Sequence, residues 1–227
     1  MRRFSKLLTG FTLMLFAAAC ATPAPVVYYP PPGTPEATED VPPQGNFAPN
    51  AALFKCAGLS VSNAPPVDAE RRIIDFKPVI VVDGVVLASV PVNDVCLTSG
   101  FGIRNGRSHD GIDLQSRPAG TIYSAAPGRI LEAGPANGYG NMIVIAHGGG
   151  VFTRYGHLAS FASGIVAGQR IGFGQPIGLM GRSGNATAIH LHFEILTGYY
   201  DTPRKSFGLT PRDPFSFPAY MLSEAGS

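Results

Sequence analysis

The chain has 227 residues, a formal net charge of +2 and only 14% charged residues. That length suits one domain plus a tail. The near-neutral balance carries no basic stripe, so no nucleic-acid partner is expected.

Taken in order, Arg2, Arg3 and Lys6 precede the apolar run from Leu7 to Ala19. The run is too short to span a bilayer comfortably and small residues close it, which predicts an export signal over residues 1–20. Ala17-Ala18-Ala19-Cys20 resembles a lipobox, with Ala17 where leucine is usual. An acylated Cys20 would anchor the chain in a membrane, each buried CH₂ contributing ~0.8 kcal/mol. Ala21 follows the cysteine rather than aspartate. Lipoprotein sorting associates that pattern with the outer membrane, so the expected location is periplasmic and lipid-anchored. Residues 21–50 are rich in proline, alanine and threonine without apolar period, and predict a flexible linker. Thirty such residues extend to about 100 Å.

Residues 51–96 read as an N-terminal extension. Val79–Val82 and Val85–Leu87 are apolar runs joined at Asp83-Gly84, which predicts a hairpin. Cys56 and Cys96 remain after Cys20. In an exported chain they predict a disulfide. Closing a loop of about forty residues, it would contribute ~4 kcal/mol in the chain-entropy picture.

From residue 97 to 220 short strands alternate with glycine turns. Ile122–Ala125, Arg129–Ala133, Asn141–Ile145 and Val151–Tyr155 each read as strands, and no convincing amphipathic helix interrupts them. The expectation is an all-β domain of antiparallel sheets.

Three segments carry histidines. In Ala188–Leu196, Ile189, Leu191, Phe193 and Ile195 alternate with His190, His192 and Glu194. A strand would set the first group on the core and the second on a polar face. His109 and Asp113 stand four apart around Gly111, after the turn signal Asn105-Gly106, which predicts a loop entering a strand. Imidazole nitrogen and carboxylate oxygen both suit zinc. The third segment, Thr153–Leu158, holds His157. Alone, the second and third segments decide nothing.

Together, SGFGIR, HDGIDL, GTIYSAAPGRILEAG, GYGNMIVIAHGGG, TRYGHL, GQRIGFGQPIGLMGRSG and HLHFEI, in this order, resemble the lysostaphin-like (LytM-type) family of peptidoglycan metalloendopeptidases. The resemblance implies a groove-bearing zinc metallopeptidase domain at 97–220. It implies Zn²⁺ ligation by His109, Asp113 and His192, and catalytic roles for His157 and His190. It implies peptidoglycan as the substrate, with cell-wall or division proteins as further partners. Of the five histidines, only His147 is left over, and it reads as structural. Glu194 stays open between a ligand's hydrogen-bond partner and an exposed carboxylate. The run Gly184–Ile189 stands where S-T-G-P is common in the family, so the turn before the histidine strand differs. Some family members have lost ligands and act as non-catalytic regulators of other cell-wall hydrolases. All five positions are filled here, which favours the enzyme. The resemblance allows two targets, glycine cross-bridges or D-alanyl–diaminopimelate cross-links. The lipobox, Ala21 after Cys20 and the candidate disulfide suggest a cell with an outer membrane, whose wall generally lacks glycine bridges, which favours the second.

Overall fold

The computed structural model describes residues 46–58, 63–201 and 203–221. The export signal, Cys20 and most of the linker lie outside the described residues.

Among the described residues there is no α-helix, and a 3₁₀ turn spans Ser206–Gly208. The domain is all-β, as the glycine-bounded strand pattern requires. Its principal sheet has nine strands. The order begins at Phe54–Lys55 and passes through Cys96–Ser99, Ile112–Gln115, Leu191–Thr197 and Val151–Leu158. It continues through Gly140–Ala146 and Gly128–Ala136 to Arg170–Ile171. Thr210–Arg212 also pairs with Leu191–Thr197. Pairings are antiparallel except for Phe54–Lys55, which joins Cys96–Ser99 in parallel. A smaller sheet joins Thr121–Tyr123, Pro176–Leu179 and Ser160–Phe161.

The core follows from side-chain alternation. Leu191, Phe193 and Ile195 are fully buried and meet Ile112, Leu114, Ile143, Ile145 and Tyr155 in one cluster. Ile189 departs from the expected alternation and is 47% exposed. The ladder begins only at Leu191, while residue 190 bridges to Gly181, so at Ile189 the chain has not yet entered the sheet. The opposite face also departs from expectation: Glu194 is fully buried and His192 nearly so. The sheet is therefore covered on both sides here, and its polar face is interior.

The hairpin Val79–Val82/Val85–Ala88 turns at Asp83-Gly84, both with positive φ, as a two-residue primed turn needs. A second hairpin, Gly102–Arg104/Arg107–His109, turns at Asn105-Gly106 and delivers His109 to the end of its strand. Cys56 and Cys96 form a disulfide with Cα atoms 4.9 Å apart. It staples the outermost strand of the principal sheet, only two residues long, to its neighbour.

The bridge spans 40 residues of sequence. Replacing Cys96 with serine is expected to lower unfolding stability by about 2–4 kcal/mol. Urea denaturation of the wild type, with and without reductant, should reproduce the difference. Coincident curves would show that the staple contributes nothing.

Candidate active site

Register sets the site. Asp113 lies directly opposite His192 where Ile112–Gln115 pairs with Leu191–Thr197, and His109 arrives from the preceding hairpin. Between His109 and Asp113 the chain passes so close to the Phe193 carbonyl that any β-carbon at Gly111 would collide with it. That close approach is why a glycine stands inside this segment.

His109 Nε2, Asp113 Oδ1 and His192 Nδ1 converge. His109 Nε2 is 3.1 Å from Asp113 Oδ1 and 3.2 Å from His192 Nδ1, which is itself 2.9 Å from Asp113 Oδ1. All three residues are buried. The three atoms are spaced so that they could hold one metal ion.

The hydrogen bonds behind these atoms test the fit. His109 Nδ1 donates to the Gly100 carbonyl at 2.6 Å, which turns Nε2 and its lone pair inward. His192 Nε2 donates to Glu194 Oε1 at 2.8 Å, which likewise leaves Nδ1 for the site. Asp113 Oδ2 accepts from Arg104 Nη1 at 2.9 Å, leaving Oδ1 free to face the histidines. Each converging atom therefore has its far side fixed by a partner, the arrangement that orients metal ligands. Burial opposes ionisation of Asp113, but its contacts with the His109 and His192 rings outweigh it and hold the carboxyl well below its usual range. Burial also disfavours a charged His192, yet Asp113 and Glu194 together push it up to about 9. The cluster attracts positive charge to the point between its three atoms.

His157 and His190 stand beside the cluster. Their ring centroids are 4.8 Å apart, and His157 lies 5.9 Å from His192. His190 Nε2 is 3.6 Å from Asp113 Oδ1. His157 Nδ1 donates to the Ser183 carbonyl at 2.8 Å and His190 Nδ1 to the Ala188 carbonyl at 2.9 Å. Each ring thus turns Nε2 away from these carbonyls. Burial and the adjacent His190 push His157 down to about 4, so it is a neutral acceptor near pH 7.

His157 reaches this position through a bulge. Asn141 pairs with Leu158 and Ile143 with Tyr155, so the single residue Met142 opposes Gly156 and His157. His157 adopts φ of 65°, a left-handed backbone rarely taken by a residue with a side chain. Its amide donates to the Tyr139 carbonyl at 2.8 Å, which holds the strained residue in place. Beside it, a β-carbon on Gly156 would come within 3.1 Å of the Tyr139 ring. These groups line a pocket of about 400 Å³ that includes His109, Asp113, Tyr139, His157, His190 and His192. His147 is not in it. Its Nδ1 donates to the Pro127 carbonyl at 2.8 Å and its Nε2 meets the Thr153 hydroxyl at 2.7 Å.

Three residues here escaped sequence reasoning. Arg104 bonds Asp113 and also Ser99 Oγ, at 2.9 Å each. Arg154 sits opposite Glu194 in register, and its Nη1 is 2.6 Å from Glu194 Oε2. Tyr139 donates to Glu194 Oε1 at 2.6 Å. Arg154 Nη2 also donates to the Ser206 carbonyl at 2.6 Å, tying the 3₁₀ turn beneath the site. The available signal was an arginine and a glutamate, each within a strand rich in apolar residues. This settles the open role of Glu194: it is a buried partner of His192.

Removing one member of a buried ion pair leaves the other charge uncompensated. Arg154→Ala is therefore expected to cost about 3–5 kcal/mol of unfolding stability, read from urea denaturation midpoints. A loss below about 1 kcal/mol, the size of an exposed pair, would mean that Glu194 does not depend on Arg154.

Residues 107–203 match Peptidase family M23. Over 106 residues the chain is 38% identical to the DD-carboxypeptidase/endopeptidase Mpg of Neisseria meningitidis, covering 43% of this chain and 24% of that protein. Over 115 residues it is 35% identical to the glycyl-glycine endopeptidase ALE-1 of Staphylococcus capitis, covering 50% of this chain and 30% of that one. The catalytic domain of lysostaphin from Staphylococcus simulans, described as an antimicrobial peptidase, superposes with a TM-score of 0.46 at 30% identity. That match covers 54% of this chain and 90% of the other. The chain thus spans only 24% and 30% of the length of these two curated relatives. The segment that carries His109, Asp113, His157, His190 and His192 thus matches Peptidase family M23.

Proposed function

We propose that the chain is a zinc-dependent endopeptidase that hydrolyses D-alanyl–diaminopimelate cross-links in bacterial peptidoglycan. The observation that carries this reading is the convergence of His109, Asp113 and His192, each braced from behind, with two further histidines alongside. The donor set of two imidazoles and one carboxylate is typical of catalytic zinc, which keeps a fourth position open. When bound, zinc supplies Lewis-acid polarisation of the scissile carbonyl and lowers the pKa of water towards ~7. Arg104 and Glu194 hold the ligands in place. His157, neutral because it is buried beside His190, takes up a proton at Nε2. His190, with Nε2 3.6 Å from Asp113 Oδ1, hydrogen-bonds the oxygen on which charge develops while that nitrogen carries a proton.

The two named relatives act on different bonds, a DD-linkage and a glycyl-glycine linkage. The choice of a diaminopimelate cross-link rests on the lipobox at Cys20, the alanine after it and the cysteine pair. These fit a lipoprotein held at the outer membrane, in a cell whose wall lacks glycine bridges. The layout would be a signal over 1–20, a Pro-rich tether over 21–50, an extension over 51–96 and the peptidase over 97–220. A tether of about 100 Å when extended would let the domain reach the wall beneath its anchor.

Ligands and proton carriers are separable. His109→Ala should lose stoichiometric zinc on dialysis, whereas His157→Ala and His190→Ala should keep it while turnover falls roughly 10²–10⁴-fold. Metal analysis beside a hydrolysis assay reads both. Full zinc in His109→Ala, or near-normal turnover in both other variants, would overturn the assignment.

The bond itself is tested by offering the purified protein cross-linked diaminopimelate dimers and, separately, pentaglycine. Dimers should resolve to monomers, and a chelator should stop the reaction. Cleavage of pentaglycine with dimers untouched would refute the substrate.

A further inference from the structure

A second, larger groove of about 750 Å³ opens beside the catalytic pocket. The two share Arg104, Asp113, Thr187 and His190, so they are continuous. The groove leads away from the histidines towards the outermost strand of the principal sheet. There Phe54, Cys56 and Ala57, from the extension preceding the peptidase domain, line it together with Cys96. The disulfide holds that wall against the sheet. Gln115, also on the lining, donates to the Ile189 carbonyl at 3.0 Å and fixes the neighbouring loop.

The charges of the groove are unequal in their commitments. Arg104 and Asp113 neutralise one another at 2.9 Å. Asp94 is exposed on the lining, where its amide donates to Asn50 Oδ1 at 3.0 Å. Arg117, likewise exposed on the lining, has no ion-pair or hydrogen-bond partner among the described residues. A guanidinium without a protein partner, in a groove that runs into a catalytic pocket, is suited to a carboxylate of the substrate.

We propose that this groove binds the diaminopimelate-bearing half of the cross-link, and that Arg117 recognises the free carboxylate next to the scissile amide. This rests on the endopeptidase reading above and deepens it. A substrate whose amide lies at the histidines must continue into a groove that begins there. A diaminopimelate residue carries a carboxylate beside the amide made by its side-chain amine, and a glycine bridge carries none. Arg117 is thus a specificity-determining residue. The extension acts as a wall of the binding site, with the exposed Phe54 ring offering apolar surface to the stem of the diamino acid.

The test measures binding, so it does not depend on turnover. Calorimetry would compare a stem tripeptide ending in diaminopimelate with the same tripeptide amidated at that carboxylate, using the full-length protein. The wild type should favour the free acid by about tenfold, the size expected of a charge-assisted contact. Arg117→Ala should abolish the preference, and Arg117→Lys should restore part of it. Phe54→Ala should weaken both ligands alike and keep their ratio. A wild type that binds neither peptide or shows no preference, or an Arg117→Ala protein that keeps it, overturns the proposal. Failure of the endopeptidase reading looks different: dimers survive uncut while the carboxylate preference persists.

Discussion

The pairing of Val151–Leu158 with Leu191–Thr197 is the constraint on which the site depends. In that register Arg154 faces Glu194 and Gly156 faces His192. The first pair places a compensated carboxylate behind the second histidine. The second leaves room above the sheet for Tyr139, which adds its hydroxyl to Glu194. A slip of one residue would send His192 and Glu194 into the apolar core and Phe193 to the pocket. Register is fixed because both faces of this sheet are interior, so any alternative pairing buries charge against hydrocarbon.

Much of this was legible in the residues. Alternation identified the strand bearing His192 and the core set Leu191, Phe193 and Ile195, because period-two burial is a local property. The turn chemistry of Asp83-Gly84 located one hairpin, since positive φ has few candidates. Asn105-Gly106 signals only a loop entering a strand, whereas the structure makes it the turn of a second hairpin. What escaped was non-local. Ile189 fits the alternation yet lies off the sheet, because the strand's start is set by its partner Ile112–Gln115. Arg154 and Arg104 look like ordinary surface cations until the partner strand is known. Glu194 could be called a ligand's partner or a solvated carboxylate because one strand does not reveal what covers it. The bulge that turns His157 inward is likewise a property of two strands, one extra residue opposite Met142.

Strain and support are distributed unevenly around the pocket. His109, Asp113 and His192 each rest on a partner that accepts or donates with full geometry, so their positions cost little. His157 alone adopts an unfavourable backbone, and it does so where the sheet is already irregular. Backbone strain of this kind persists only where surrounding structure over-determines it. Here the Tyr139 carbonyl and the Ser183 carbonyl supply that restraint from two different loops. The histidine expected to exchange protons is thus the one whose orientation is imposed rather than relaxed.

The buried pair of Arg154 and Glu194 has a consequence for how this sequence can change over generations. Either residue replaced alone strands a full charge in the interior, whereas both replaced together by neutral side chains of similar volume do not. The two positions are therefore coupled epistatically: the route between a charged and an uncharged version passes through an unfit intermediate. Lineages should hold the pair intact or lack it entirely, and a mixture of halves would have to be rescued by a third substitution, with Tyr139 the nearest place for it.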